Sequence, residues 1–594
     1  MNTPAPSMQE YRFFTAITLG FVFWLFLGLI LALSHAFFTP LLWISLAATL
    51  GLGAYIVHIK KLCRDISKEF LIVTGIAIAI AASIAFITAP TIFSGRDQGS
   101  YSAAAIHLAQ NHQLAFSTPA SSAFFDVYGP GKALNFPGFD YTKDGFLTTQ
   151  FPLGYIVWLA SFFALFGLAG LGIANAVTLA LFLIAFYLLI RLFASRFYAI
   201  WGLVIAATSL PVVWFSKSTL SENLALTLFV LLALNLILAF KERSTLHTAL
   251  SLALASFFIF TRIEGFTFFA ITLILLSFSA KARALWKSRP FAHAIFPAII
   301  LSILFIRNFF ADLPFYKAIG KAGQSKWHSF FKPCIAADCI DDKTLSLWSI
   351  FWPYGLIPVF IIGTVSLIIL AKSRNKLALI PLILALPTFF YVFSPSISID
   401  HPWMLRRFIF SIYPSLLFSA ILGIATIQAF LTKRYANHFL FKRHYYSLLL
   451  LAALLISQLP FALKYATFSE NKNLLIQTQE FASHFSGGDL VLADRLATGD
   501  AWSMLPEPMH YFGIRNAAYF FNPEDFARLD TSGFKHVYLI VPEAEAARYT
   551  QASSKQFTPI ATFDFDSERL IPSTKSMLPQ KISETTTALV LKVE

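Results

Sequence analysis

Cysteine and charged residues are scarce in this chain. It has three cysteines in 594 residues, and Asp, Glu, Lys and Arg together make up 13% of the sequence. So few cysteines exclude a disulfide-rich secreted scaffold, and so few charges exclude an ordinary soluble domain, in which about a quarter of the residues are charged. Cys334 and Cys339 share a predicted outer loop, which leaves a disulfide, two free thiols or part of a metal site open. The cysteines and histidines show no convincing zinc spacing.

Hydrophobic residues instead account for 57% of the sequence, including 65 phenylalanines. Many of them form long runs, and a run of about 17 to 25 apolar residues can cross a bilayer as a helix. We predict about 13 spans, near residues 13–34, 37–58, 70–90, 170–190, 197–216, 222–240, 246–262, 264–280, 291–310, 347–370, 377–395, 404–430 and 446–463. The apolar stretch 151–168 is predicted to lie in the membrane interface, because a crossing there disrupts the charge pattern of the loops.

Basic residues are distributed unevenly between the two sides of these spans. One side carries Arg12 and clusters of Lys and Arg that begin at Lys60, Arg191, Lys241, Lys281, Lys372 and Lys433. Such a bias marks the cytoplasmic side. It predicts a cytoplasmic N-terminus, a multi-pass protein of the cytoplasmic membrane, and an extracytoplasmic C-terminal region. The net charge of +14 follows from this topology, so no nucleic-acid partner is needed to explain it.

Composition divides the chain near residue 465. Residues 1–464 form the predicted membrane domain, with outer loops at 91–169 and 311–346, and residues 465–594 are more polar. In the tail, short β-rich runs alternate with helical patterns, which predicts a small α/β domain. The predicted fold class is therefore an all-α polytopic membrane domain with interfacial helices, followed by a small C-terminal α/β domain.

Polar residues collect at the predicted outer ends of the spans. The set is Arg96, Asp97, Tyr101, Lys217, Glu222, Arg262, Glu264, Arg307, Asn308, Asp400, His401, Arg406 and Arg407. Charges at this depth are costly and commonly mark function. Arginine binds phosphate through paired hydrogen bonds, and a carboxylate accepts the proton of an incoming hydroxyl. The set therefore indicates a site for a phosphate-bearing lipid and general-base chemistry.

Structural roles also explain several of these residues. Asp97 is placed to cap a helix, and Glu222 follows Thr219 by three residues, as in a capping box. Arg262 and Glu264 are suited to pair with each other at the interface. These alternatives stay open at the level of the sequence.

Arg406 and Arg407 are harder to explain structurally. They lie on the outer side, against the positive-inside bias, and at the start of a helix, where the dipole does not favour cations. We therefore expect at least one of them to bind an anion.

Four local sequences resemble motifs of the GT-C superfamily of integral-membrane glycosyltransferases, which includes protein O-mannosyltransferases and the lipid A aminoarabinose transferase. The run Arg96-Asp97-Gln98-Gly99-Ser100-Tyr101, with the residues to Ala109, is similar to the family's first motif, in which an acid precedes a Tyr and an Ala-rich helix. An interfacial Pro-Leu helix ending in Phe-Gly resembles 151–167. Residues Phe215 to Glu222 resemble the family's second acidic position. Residues 306–316 resemble its Arg-Asn motif, which is followed by a Pro-aromatic turn. The four matches occur in the family's order.

The resemblance implies inverting transfer of a sugar from a polyprenyl-phosphate donor to a hydroxyl of a glycan, lipid or protein. It implies that Asp97 is the general base and Glu222 a second functional acid. The residues expected to bind substrate are Arg96, Tyr101, Arg262, Glu264, Arg307, Arg406 and Arg407. Many members have two consecutive acids where this chain has Asp97-Gln98, so we expect no obligatory metal, and dependence on a divalent ion stays open.

Two other functions use similar outer charges. A secondary transporter or lipid flippase typically has internal repeats and charges near the middle of the bilayer, and the sequence has neither a convincing repeat nor mid-span acids. A surface-polysaccharide polymerase or ligase on another membrane scaffold is also compatible with outer arginines.

Overall fold

A computed structural model describes most of the chain. The described residues are 8–64, 66–87, 96–278, 351–373, 375–393, 403–435, 444–499, 504–552, 555–571 and 578–594, with a few isolated positions between 302 and 317. Apart from those positions, the predicted span 291–310 and the predicted outer loop 311–346, with Cys334, Cys339 and Arg307, lie outside them.

Apolar helices dominate the part of the chain before residue 466. The α-helices of this part, among the described residues, are α1 Met8–Leu33, α2 Thr39–Ile59, α3 Lys68–Ile87, α4 Asp97–Asn111, α5 Pro119–Tyr128, α6 Leu153–Phe166, α7 Leu168–Arg191, α8 Arg196–Ala207, α9 Leu210–Ser216, α10 Glu222–Glu242, α11 Thr245–Thr261, α12 Gly265–Ser277, α13 Ile357–Lys372, α14 Ile380–Ala385, α15 Phe390–Phe393, α16 Arg406–Ile409, α17 Ile412–Arg434 and α18 Tyr445–Tyr465. Among the described residues, seven helices are long and apolar enough to cross a membrane, or eight with the bent pair of α8 and α9. The expected polytopic helical fold is confirmed, and the count of about 13 spans is not.

Helix α10 forms the centre of this bundle. In its most apolar window 94% of the residues are buried, whereas α2 is 11% buried by the same measure. Helix α10 packs against α7 and α11. A helix that is apolar on all sides is expected at such a central position, and its first residue, Glu222, is consequently buried as well.

The predicted span 197–216 is broken into α8 and α9, which are bent by 57°. Pro211 lies in the first turn of α9. Proline has no amide hydrogen and disfavours a helical conformation in the residue before it, so a new helix starts here. The sequence pattern alone did not reveal this bend.

Two further predicted spans are divided at prolines. The stretch 377–395 contains 3₁₀ turns and the short helices α14 and α15, with Pro381 and Pro387 in first turns. The stretch 404–430 begins with a 3₁₀ turn and α16, and the long helix α17 starts only at Ile412, with Pro414 in its first turn. These breaks place Arg406 and Arg407 in a separate turn ahead of α17.

The segment 96–167, which the sequence predicts to lie on the outer side and which we call the outer segment, contains α4, α5 and α6 and a three-stranded antiparallel sheet, β1 Gly131–Lys132, β2 Phe139–Tyr141 and β3 Leu147–Thr149. The loop before β2 approaches α4 closely at Gly138, where a Cβ atom would lie 2.3 Å from that of Ser100 and φ is +88°. Ser100 Oγ donates to Pro137 O at 3.2 Å. This contact fixes the first turn of α4, which carries Asp97. Helix α6 has 14 residues, fewer than a crossing needs, and its interfacial position stays a prediction.

The C-terminal region contains a five-stranded mixed sheet. Its elements are α19 Leu474–Ala482, β4 Leu490–Ala493, α20 Pro506–Tyr511, β5 Ala517–Tyr519, β6 Val537–Pro542, α21 Ala546–Ala552, β7 Phe557–Ile571 and β8 Gln580–Val593. The strand order is β5-β4-β6-β8-β7; β4 is parallel to β5 and β6, and β8 is antiparallel to β6 and β7. The α/β character is as the sequence predicts.

Two sets of contacts fix this sheet region to the membrane part. Lys217 Nζ donates to the backbone oxygens of Tyr465, Ala466 and Phe468 at 3.1, 2.9 and 2.6 Å, so its ammonium holds the chain where α18 ends. On the other side, the Asn135 side-chain amide donates to the backbone oxygen of Tyr519 in β5. The outer segment that carries Asp97 is therefore joined directly to the sheet.

A small cavity of about 30 Å³ lies at this junction, between α4 and α20. His107, Glu507 and His510 line it, and the two imidazole rings are 4.4 Å apart. Burial raises the pKa of Glu507 to about 8 and lowers that of His510 to about 4. Burial, with His510 and Arg515 nearby, also holds the pKa of His107 well below its usual value. All three groups are therefore largely uncharged near neutral pH.

We expect stability to fall as the pH rises from about 6.5 to about 8. The folded protein holds the Glu507 proton more tightly than the unfolded chain, so this contribution is lost as pH rises through the pKa of about 8. The two histidines, His107 and His510, act in the opposite direction and only below about pH 6.5, where the unfolded chain binds protons that the folded state does not.

Thermal unfolding in detergent at several pH values measures this decline in stability. Glu507→Gln should abolish it, and the exposed Glu480→Gln should keep it; an unchanged decline in Glu507→Gln contradicts this assignment.

Candidate active site

Four separate parts of the chain meet in one cluster of charged side chains. Asp97 is the first residue of α4, and Glu222 is the first residue of α10. Arg262 and Glu264 lie in the tight connection between α11 and α12, and Arg406 begins α16. The outer ends of the predicted spans therefore converge, as the sequence indicated.

Glu222 is the centre of the cluster. Its Oε1 atom lies 2.8 Å from Arg262 Nη1 and 2.7 Å from Arg406 Nε, and its side chain is 0% exposed. A buried carboxylate is costly unless it is paired and hydrogen-bonded. Two guanidinium groups that share one oxygen meet this requirement, and Glu222 in turn keeps both cations in place.

Asp97 lies at the solvent-facing side of the cluster. Its Oδ2 atom is 2.6 Å from Arg406 Nη1, and its side chain is 40% exposed. The Arg406 guanidinium also stacks over Trp403, 4.6 Å from the ring centroid. Arg406 therefore connects a buried carboxylate to one that solvent can reach.

Arg262 is fixed by several partners. Its Nε and Nη2 atoms donate to the two oxygens of Glu264, both at 3.1 Å, and Nη1 donates to Ser221 Oγ at 3.2 Å. The Phe410 ring covers the guanidinium at 4.5 Å. A bidentate pair of this kind is rigid, so Arg262 and Glu264 stabilise the site's geometry.

Arg407 is arranged differently. Its Nη1 atom donates to Tyr391 Oη at 3.3 Å, and Tyr391 Oη donates to Glu264 Oε1 at 2.6 Å. Its Nε atom is buried, and no group in the described part of the chain accepts a hydrogen bond from it. A buried cationic donor without an acceptor is suited to binding an anion.

Tyr101 contacts the buried side of the cluster. Its hydroxyl donates to Ser221 Oγ at 3.2 Å, and its ring lies 4.5 Å from that of Phe151. Arg96 is the N-cap residue of α4, and its carbonyl accepts hydrogen bonds from the first turn. Arg307, Asn308, Asp400 and His401 of the predicted set lie outside the described residues.

The capping alternatives do not account for the two acids. Asp97 follows the N-cap position of α4, and its carboxylate contacts Arg406. The N-cap of α10 is Ser221 and makes no side-chain capping bond. Thr219 Oγ1 donates instead to the backbone oxygen of Gln98 at 2.9 Å, so no capping box forms. The expected pairing of Arg262 with Glu264 is present, within the larger cluster.

Tyr391 and Trp403 are site residues that the sequence did not identify as such. Neither belongs to the set of polar residues at the predicted span ends, and Tyr391 lies inside the predicted span 377–395. The sequence signal for an irregular backbone in this stretch is the pair of prolines, Pro381 and Pro387, which lie in the first turns of two short helices. In the described part of the chain, no group of three His, Cys, Asp or Glu side chains is arranged to hold a metal ion, and metal independence stays a prediction.

A scan of protein families finds none that matches this sequence, and a search of curated proteins finds no match. Solved structures do match. ArnT from Cupriavidus metallidurans bound to undecaprenyl phosphate aligns with a TM-score of 0.51 and 11% identity, over 88% of this chain and 97% of that one. ArnT in the apo state gives 0.44, 12%, 87% and 97%. The oligosaccharyltransferase AglB from Archaeoglobus fulgidus, in complex with an inhibitory peptide and a dolichol-phosphate, gives 0.42, 12%, 82% and 71%.

The similarity to undecaprenyl phosphate-bound ArnT covers nearly the whole of both chains. It includes the helical part and extends into the C-terminal region, because 88% of this chain exceeds the share before residue 466. The chain therefore shares the fold of undecaprenyl phosphate-bound ArnT.

Proposed function

We propose that this chain transfers a sugar from a polyprenyl-phosphate-linked donor to an acceptor hydroxyl at the outer face of the cytoplasmic membrane. The observation that carries the proposal is the 2.6 Å contact between Asp97 and Arg406. It holds a candidate base beside a candidate phosphate-binding cation, at a position that a substrate can reach. The fold match to a structure of ArnT with undecaprenyl phosphate supports the donor class.

In the proposed reaction, Asp97 accepts the proton of the acceptor hydroxyl. The hydroxyl oxygen forms a bond to the anomeric carbon from the face opposite the phosphate, so the configuration inverts. The bond between that carbon and the phosphate oxygen breaks, and its electron pair stays on the phosphate. Arg406 and Arg407 are positioned to stabilise this charge, and preorganised cations in a water-poor site lower such a barrier by several kcal/mol. No step requires a metal ion.

The roles of the other residues follow from their contacts. Glu222 holds Arg262 and Arg406 at 2.8 and 2.7 Å, so we assign it to positioning these cations. Arg262 and Glu264 are engaged with each other and form the scaffold of the site. We retain residues 1–464 as the membrane domain and 465–594 as an extracytoplasmic domain that covers it. The acceptor is a glycan, a lipid or a protein.

A reconstituted assay tests the function. The purified protein is placed in proteoliposomes with polyprenyl-phosphate-linked sugars and candidate acceptors, and release of polyprenyl phosphate is measured. We expect release that depends on both donor and acceptor and that a chelator does not reduce. If the protein turns over no polyprenyl-phosphate-linked sugar in membranes that contain the native acceptors, the proposed reaction is wrong.

Arg407→Gln should weaken the donor interaction. Loss of a charged hydrogen-bond donor typically costs about 1.5 to 3 kcal/mol, so KM for the donor should rise roughly 10- to 100-fold. The readout is the dependence of the transfer rate on donor concentration. Arg434→Gln, in the last turn of α17 and far from α16, is the matched control and should behave like the unmodified protein. An unchanged donor KM in Arg407→Gln removes Arg407 from the phosphate site.

A further inference from the structure

Arg406 is held by two carboxylates that differ in their access to solvent. Its Nε atom contacts Glu222, whose side chain is fully buried, and its Nη1 atom contacts Asp97, whose side chain is 40% exposed. A carboxylate that loses its partner needs water or another donor. Asp97 can be hydrated and Glu222 cannot, so the contact between Arg406 and Asp97 is the one that can open.

The six charged side chains that these ion pairs and hydrogen bonds connect, within the described part of the chain, have balanced formal charge. The guanidinium groups of Arg262, Arg406 and Arg407 stand against three carboxylates, those of Asp97, Glu222 and Glu264. A donor with a phosphodiester adds one negative charge. The phosphate therefore competes with the existing carboxylates for the guanidinium groups, and Asp97 is the most easily displaced.

We propose that the donor phosphate replaces Asp97 on Arg406, and that this exchange releases the Asp97 carboxylate to act as base. The inference rests on the proposed function and adds a binding order to it. The donor binds first, and the acceptor loses its proton only after the exchange. Arg406 keeps its Nε contact with Glu222 throughout, so the guanidinium stays in position while one partner changes.

The exchange also follows the movement of charge in the reaction. The acceptor proton passes to Asp97, which becomes neutral, and the electron pair of the broken bond passes to the phosphate, which gains one negative charge. The total charge of cluster and ligands is therefore constant. When polyprenyl phosphate leaves and Asp97 gives its proton to water, the pair with Arg406 re-forms and acceptors are again left unactivated.

Binding of polyprenyl phosphate to the full chain in nanodiscs tests the exchange. Removing the competing carboxylate in Asp97→Asn should tighten binding about tenfold, since a charge-assisted hydrogen bond that no longer has to be broken contributes on that order. Asp97→Ser should show the same gain. The matched control is Asp126→Asn, which removes an exposed carboxylate from α5 in the same outer segment. Polyprenol without phosphate reports binding of the lipid chain alone.

The affinities of these variants for polyprenyl phosphate support or contradict the proposed exchange. Tighter binding in both Asp97 variants with Asp126→Asn unchanged supports the exchange. Equal or weaker binding in the Asp97 variants overturns it, while the donor class stands. An equal gain in Asp126→Asn also overturns it, because the effect is then one of overall charge. If neither the unmodified protein nor the variants prefer polyprenyl phosphate over polyprenol, the proposed donor class fails together with the exchange.

Discussion

Asp97→Asn should reduce sugar transfer by roughly 10² to 10⁴-fold, the usual contribution of a general base. Asparagine has nearly the shape of aspartate but does not accept a proton from the acceptor hydroxyl. We expect the substitution to lower kcat, because the variant loses the group that accepts the proton during bond formation. The polyprenyl phosphate site should be retained or improved, so the loss of turnover is not a loss of donor binding.

The measurement is the single-turnover rate of transfer with donor in excess. Folding is checked by the thermal unfolding of the purified variant, which should change little because the Asp97 side chain is 40% exposed. Exposed ion pairs typically contribute about 0 to 1 kcal/mol. Asp126→Asn is the charge-matched control. A variant of Asp97 that folds and transfers sugar at a near-normal rate shows that another group takes the proton.

The sequence anticipated which residues gather and could not anticipate how they pair. Carboxylates and arginines at outer span ends stand out, because charges in a membrane protein are costly and arginines on the outer side oppose the positive-inside bias. That reasoning selected Asp97, Glu222, Arg262 and Arg406, which the structure brings within ion-pair distance. From the sequence, Asp97 and Glu222 were each interpreted alone, with no prediction of the arginines that they contact. That Glu222 is shared between two arginines depends on packing among α10, α11 and α16, and local sequence carries no signal for such contacts.

The missed features have a common cause. Hydropathy finds apolar stretches but does not distinguish a straight helix from several short turns of the same composition. The region around Pro381 and Pro387 was therefore taken for one span, and Tyr391 within it for an ordinary aromatic residue. In the structure the short helix α15 brings Tyr391 to Glu264. Prolines inside a predicted span thus indicated where the site departs from regular structure.

Glu222 has a different role from Asp97 in this arrangement, although both are acids at helix starts. Among the described residues, Asp97 has one guanidinium partner and its side chain is 40% exposed, as a base that meets a substrate requires. Glu222 is buried and has two. Its contribution should therefore appear mainly in stability, and through the position of Arg406 in the rate.

Glu222→Gln should destabilise the protein by about 3 to 5 kcal/mol, the usual result of removing one partner from a buried ion pair. The variant leaves Arg262 and Arg406 with one carboxylate fewer, in a place where water does not replace it. The midpoint of thermal unfolding in detergent should fall clearly. Glu242→Gln, at the other end of α10 and 25% exposed, is the control and should change stability little.

A second substitution separates the two roles. Adding Arg406→Gln to Glu222→Gln removes the positive charge that Glu222 no longer balances, and the Asp97 carboxylate is then hydrated. The double variant should therefore be more stable than Glu222→Gln alone, even though it lacks one more native contact. Residues in one network are expected to be non-additive in this way. The double variant should still fail to transfer sugar, because it has lost the cation that we assign to the leaving phosphate. If Glu222→Gln instead unfolds like the unmodified protein and loses only turnover, Glu222 takes part in the chemistry directly, because a residue that only positions two buried cations cannot be replaced without a cost in stability.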